Sequence, residues 1–237
     1  MTLNETIKAG DPGHPQLHID ERREINNLIR HDEYAIYADD YDSIQAALDA
    51  ASARNIPVVY LNPASAYDVD STLTIPQGVT LDGGAVSGGS GGAELRATAG
   101  LDPMITLGGW YTGVRGCVLN GNYQASVGVM ISGVHFTLLE HNYIKSFADP
   151  AGAAVRAGGA LYSTFRRNIV SNCAGYGLDA LDAYAPDPSA VYYGINHGLS
   201  EQNVWGAKMG GMRVEGLLTS ICDDFELRLD GEAAVVV

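Results

Sequence analysis

Cysteine is scarce in this 237-residue chain: Cys117, Cys173 and Cys222 are odd in number and far apart. That count and spacing exclude a disulfide framework and a CxxC metal site, and predict buried free thiols. Basic residues are few as well. Fourteen Lys and Arg stand against 28 Asp and Glu, for a net charge of −14. A phosphate-backbone binder needs cations to release counterions, so nucleic acid is excluded as a partner, and so is adhesion to an anionic membrane surface. No apolar run approaches the ~18 residues of a membrane span. The opening MTLNETIKAGDPGH lacks the apolar core of a secretory signal, so no export route is expected. There is no GxSxG for a serine nucleophile and no HExxH for a metal. His14 and His18 are four apart, but Pro15 between them opposes a helix that would align them. The segment GGAVSGGSGG (83–92) has no following Lys-Ser/Thr and reads as a loop, not a phosphate cradle. No cofactor is expected.

Glycine, by contrast, is abundant: 29 residues, about 12% against a usual share of roughly 7%. Hydrophobic residues reach 46% and charged residues only 18%, enough to build a core. Residues 1–19 are polar and carry Gly10, Pro12, Gly13 and Pro15, which predicts an extended arm. Asp20 can cap a short helix over Asp20–His31, with Ile25, Leu28 and Ile29 on one stripe. A helix that short is marginal alone, so its stripe wants a partner. A second helix is predicted within DYDSIQAALDAASARN, capped by Asp42 or Ser43, with Ile44, Ala47, Leu48 and Ala51 on one face. Pro57 closes off its continuation.

Past Pro57 the pattern turns to short β-type runs: Val58–Leu61, Leu73–Ile75, then Val79–Leu81 after the turn Pro76-Gln77-Gly78. A weak repeat joins GVRGCVLNGN, TLLEHNYIKS, TFRRNIVSNC, GLSEQNVWGA and SICDDFELRL, at intervals of about 25, 26, 35 and 22 residues. The long interval contains the insertion DAYAPDPSA (182–190). Strand-and-turn repeats of this length point to a solenoid, whose stacked coils bury one continuous core, although a β-sandwich also fits short strands with uneven spacing. Asn142, Asn168 and Asn203 recur in three copies. They can form an inward amide ladder, or each can simply make its own turn.

The stretch Asp40–Gly84, with its run VVYLNP…YDV…LTIPQGVTLDG, resembles the opening of pectate-lyase-like parallel β-helix proteins, bacteriophage tailspikes among them. The resemblance implies a mainly β fold: a right-handed parallel β-helix over residues 39–237, capped by a short α-helix and preceded by an arm and short helix over residues 1–38. The segment GDPGHPQLHIDERREIN (10–26) is similar to one that recurs near the N-termini of phage tail proteins. It implies virion attachment through Gly10, Asp11, Pro12, Gly13 and His14. Together the two resemblances imply a tail fibre, minor tail protein or tailspike-like component. Such a component is made in the host cytoplasm without a signal peptide, located in the virion and assembled as a homotrimer. Its implied partners are other tail proteins, through residues 1–38, and host-surface polysaccharide. The chain stops at GEAAVVV without a trimerising domain after it, so the last coil is expected to be covered by symmetry mates, a partner or a fold-back.

The alternative on the same scaffold is a polysaccharide depolymerase. Hydrolysis needs two carboxylates about 5–9.5 Å apart across a groove. Asp179 with Asp182, Glu201, and Asp223 with Asp224 are the candidates, and Glu215 is a further carboxylate. A lyase would need a base, from Arg166-Arg167, Lys208 or Arg213. Tyr176, Tyr184, Tyr192, Tyr193 and Trp205 are candidates to stack on sugar faces with a polar tip left wet. The plainer reading is that the carboxylates are solvated loop charges and the tyrosines pack on the solenoid flank.

Overall fold

The computed structural model describes residues 35–85 and 91–181, and beyond them the backbone of the strands between Ile195 and Val236. The compact unit begins at Ala35. It is mainly β, a parallel β-solenoid with one short α-helix. Three sheets run its length. Sheet 1 includes Val58–Tyr60, Thr80–Asp82, Gly113–Arg115, Leu138–Glu140 and Thr164–Arg166. Sheet 2 includes Ala66–Val69, Glu94–Ala97, Val118–Asn120, Tyr143–Lys145 and Ile169–Cys173. Sheet 3 includes Leu73–Ile75, Ile105–Leu107, Val127–Ser132, Ala153–Gly158 and Tyr176–Ala180. The chain visits sheets 1, 2 and 3 in turn, and each circuit is one coil. Strands in all three sheets pair in parallel, which sets aside the sandwich, whose sheets are antiparallel.

Register explains the weak repeat. Gly113, Leu138, Thr164, Leu199 and Ile221 stand in one column of sheet 1. The insertion 182–190 therefore falls between the sheet 3 strand ending at Ala180 and the sheet 1 strand Leu199–Glu201. Period-two alternation sends Ile75, Leu107, Ile131, Ala157 and Ala180 inward, all buried, and sends Thr74, Thr106 and Met130 outward. Among the described residues, Phe147 and Phe165 are the largest fully buried side chains.

The helix α1 (Ile44–Arg54) closes the first coil. Ser43 accepts a hydrogen bond from the Ala46 amide at 3.1 Å, and Asn55 ends the helix at φ 54°. The predicted face, Ile44, Ala47, Leu48 and Ala51, is buried. Gln45, next to that face, does a second job. Its Oε1 accepts from Thr74 N at 2.8 Å and its Nε2 donates to Thr74 O at 3.1 Å. The side-chain amide thus replaces the missing neighbour of the outermost strand in sheet 3, where open backbone would invite pairing with another chain.

Between sheets 1 and 2 the chain turns in two residues: Gly116-Cys117, His141-Asn142 and Arg167-Asn168. The first of each pair has positive φ, at 62°, 57° and 54°. Asn142 and Asn168 are fully buried and joined: Asn142 Nδ2 donates to Asn168 Oδ1 at 3.0 Å and to Val114 O at 2.9 Å. Asn142 Oδ1 accepts from Cys117 N at 3.1 Å, and Asn168 Nδ2 donates to Leu139 O at 2.8 Å. The asparagines make the turn and the ladder at once. Cys117 and Cys173 are buried free thiols, as expected. Residues 1–34, Asn203 and the cover of the C-terminal coil lie outside the described residues.

Candidate functional site

Among the described residues, the turns from sheet 3 to sheet 1 carry four of the six exposed large hydrophobic side chains. They read Pro76-Gln77-Gly78-Val79, Gly108-Gly109-Trp110-Tyr111-Thr112, Gly133-Val134-His135-Phe136-Thr137 and Gly159-Ala160-Leu161-Tyr162-Ser163. Coil-to-coil hydrogen bonds align them. Gly78 N donates to Trp110 O and Tyr111 N to His135 O, while Gly113 N donates to Val79 O and Leu138 N to Thr112 O. Gly78, Tyr111, Phe136 and Tyr162 therefore share one column, all at positive φ of 53–75°. Inside the turn Thr112, Thr137 and Ser163 are buried. Thr112 Oγ1 donates to Gly109 O at 2.8 Å and Thr137 Oγ1 to Ser163 Oγ at 2.7 Å.

Bulky residues rarely occupy the left-handed region, which costs of order 1–3 kcal/mol each. Stacking offsets part of that cost here. Tyr111 and Phe136 lie 4.8 Å apart at 6°, Phe136 and Tyr162 5.0 Å apart at 7°. These separations follow the ~4.7–4.9 Å strand spacing, and each aromatic pair contributes about 0.5–1.5 kcal/mol. Beside them Trp110 meets His135 at 5.1 Å, tilted by 44°. Burial against its neighbours pushes the His135 pKa below the usual imidazole value, favouring the neutral form of the ring. Trp110, Tyr111, Phe136 and Tyr162 remain 47%, 58%, 39% and 50% exposed. Such contiguous apolar surface is uncommon on soluble proteins and marks interaction sites.

The outer column of sheet 1 is ionic. Tyr60, Asp82, Arg115, Glu140, Arg166, Glu201 and Asp223 follow in register. Signs alternate from Asp82 to Glu201, which suits stacking at this spacing because like charges directly opposite repel; Asp223 then follows Glu201 with the same sign. Arg115 binds Asp82 at 2.7 Å, and Arg166 donates to Glu140 Oε1 through Nε at 2.7 Å and also through Nη2. Arg166 is thus held by Glu140. Glu201 and Asp223 occupy the next two places in this column. On sheet 3, Asp179 is fully buried at an outer register position between Arg156 and Arg213. Arg156 donates to Ala151 O at 2.8 Å and lies 3.6 Å from Asp102. Arg167 forms the turn at φ 54°.

Tyr176 is partly buried at the start of its strand, paired with the buried Ala153. Trp205 pairs with Val170, a core position. Asp182, Tyr184, Tyr192, Tyr193, Lys208, Glu215 and Asp224 lie outside the described residues, as do Gly10, Asp11, Pro12, Gly13 and His14. The exposed aromatics of the flank are not among the residues that sequence reasoning singles out. Their signal is nevertheless present, as aromatic-hydroxyl pairs (Tyr111-Thr112, Phe136-Thr137, Tyr162-Ser163) recurring at the coil interval.

No protein-family model matches the chain, and no curated protein matches its sequence. Solved structures do. The A-module of the Azotobacter vinelandii mannuronan C-5 epimerase AlgE6 aligns over 75% of this chain at TM-score 0.52 and 17% identity. The chain is a parallel β-helix. It spans 58% of that module's length. The Geobacillus virus E2 ORF18 protein aligns over 94% of this chain and 52% of its own, at TM-score 0.47 and 12% identity. The Dettilon tailspike protein aligns over 78% and 54%, at TM-score 0.32 and 13% identity.

Proposed function

We propose that this chain is a glycan-binding β-helix of a bacteriophage tail, joined to the virion through residues 1–38 and contacting host-surface polysaccharide. The observation that carries the binding reading is the solvent-facing aromatic flank of Trp110, Tyr111, Phe136 and Tyr162. Aromatic rings with polar tips suit sugars, whose C–H faces pack on the ring while hydroxyls stay hydrated. The tail reading is supported by the GDPGH segment and the β-helix opening. Binding is favoured over cleavage because, in the outer register positions of sheets 1 and 3, Asp82 and Glu140 are tied to arginines and Asp179 is buried.

The test is a binding screen of the whole chain against neutral and acidic bacterial polysaccharides. Binding is expected, with polysaccharide chain length unchanged after incubation. Loss of chain length would favour the depolymerase, and Asp179→Asn would then show whether that carboxylate acts. Light scattering is expected to give a native mass three times 25.0 kDa, and cross-linking on assembled tails should join residues 1–38 to other tail proteins.

A further inference from the structure

The aromatic column is unfinished at one end. Phe136 has a ring on both faces. Tyr111 stacks on Phe136 with one face, while the next place beyond its other face in the column is held by Gly78, which has no side chain. A Cβ built at Gly78 would meet nothing within 4 Å, so the space above this step is open. Tyr111 is accordingly the most exposed of the three stacked rings. Trp110 stands next to it in the sequence, and Gln77 offers an exposed amide beside Gly78. The step thus combines an uncovered aromatic face and a donor-acceptor pair at the rim.

We infer that this step, floored by Gly78 and walled by Tyr111 with Gln77 at its edge, is a subsite for one neutral sugar residue. The inference rests on the glycan-binding reading and names its place and class. The sugar stacks its C–H face on the open ring of Tyr111 and fills the place that a fourth aromatic would take. Its hydroxyls reach the Gln77 amide and water. Neutral sugar is specified by charge. The four aligned turns contain no Asp, Glu, Lys or Arg, so a uronate or other acidic sugar finds no cation there on a chain of net charge −14.

Two substitutions test this with the whole chain. Gly78→Tyr completes the column, because Tyr111, Phe136 and Tyr162 already hold the same backbone conformation. Tyr111→Ser removes the wall. Circular dichroism verifies that both variants fold. The probes are a panel of neutral hexasaccharides (gluco-, manno- and galacto-) and oligouronates, read by calorimetry and by intrinsic fluorescence. The expected result is binding of a neutral probe, weakened roughly two- to ten-fold in each variant, the loss of about one aromatic contact. Wild-type binding that both variants retain would overturn the subsite and leave the glycan-binding reading intact. Binding of oligouronates alone would overturn the neutral assignment. Binding of no probe by wild type would overturn the reading on which the subsite rests.

Discussion

Replacing Asn142 by alanine tests the solenoid's internal bonding directly. The side chain is fully buried and makes three hydrogen bonds: Nδ2 to Val114 O and to Asn168 Oδ1, and Oδ1 from Cys117 N. The Asn168 oxygen keeps its bond from Asn142 N at 3.1 Å, which survives the substitution because it is backbone. The Cys117 amide has no such reserve. An unpaired buried donor costs about 1–3 kcal/mol, and each of the two other lost bonds about 1 kcal/mol. The sum is roughly 3–5 kcal/mol, a large share of the ~5–15 kcal/mol that holds a domain together. The assay is urea unfolding followed by circular dichroism. Because coils interact mainly with their neighbours, the midpoint shift is the safer readout than an extrapolated free energy. Asn120→Ala is the control, since its amide makes a partly exposed bond to Glu94 at 2.6 Å. A midpoint for Asn142→Ala within error of the control would refute the argument that the ladder bonds the coils.

Further outcomes follow from single contacts. Burial pushes the Cys117 thiol far above its ordinary pKa, and Cys173 is buried too, so with Cys222 replaced by Ser a thiol reagent at pH 8 should label neither before unfolding and both in urea. Rapid native labelling would contradict that packing. Gly175→Ala places its methyl against the Gly152 carbonyl and should destabilise by about 1–3 kcal/mol in the same urea assay, where an unchanged midpoint would show that the coils can part without cost. Gln45→Ala opens the Thr74 edge of sheet 3, so hydrogen exchange at Thr74 should rise while Val129, on an inner strand, stays protected. His135 favours its neutral form, with a pKa lowered from 6.5, so its contribution to stability is present above 6.5 and lost as pH falls through the lower value. Trp110 fluorescence should accordingly change with a midpoint below 6.5, and His135→Gln should abolish the change.

Much of the fold is legible because it rests on local chemistry. Ser43, the apolar face Ile44/Ala47/Leu48/Ala51 and Pro57 define the cap helix, and the column Gly113, Leu138, Thr164, Leu199, Ile221 reproduces the intervals seen in the sequence. The strand Ala66–Val69 was less visible, since AYDV mixes an exposed alanine and aspartate with one buried valine. The candidate site was harder to see for a different reason. Reading for paired carboxylates and neighbouring tyrosines favours groups that are close in sequence. Stacking instead joins groups one coil apart, so Tyr111, Phe136 and Tyr162 meet although more than twenty residues separate each from the next.

The same stacking rule accounts for the two unlike columns on the outside of this protein. Each coil sets a residue about one strand spacing from its counterpart, so every outer column must choose side chains that tolerate close company. From Asp82 to Arg166, sheet 1 meets this by alternating sign: Asp82 with Arg115, Glu140 with Arg166. That neutralises the charges against one another and leaves little to offer a ligand. The turn column meets it with rings, which attract one another but stay uncharged and half exposed. An aromatic column terminates in a ring face with no partner, whereas an ion-pair column can end on a charge that water solvates. The glycine at position 78 therefore does more than permit a tight turn. It leaves the Tyr111 face available, which is why filling that place is expected to affect binding while the coils remain stacked.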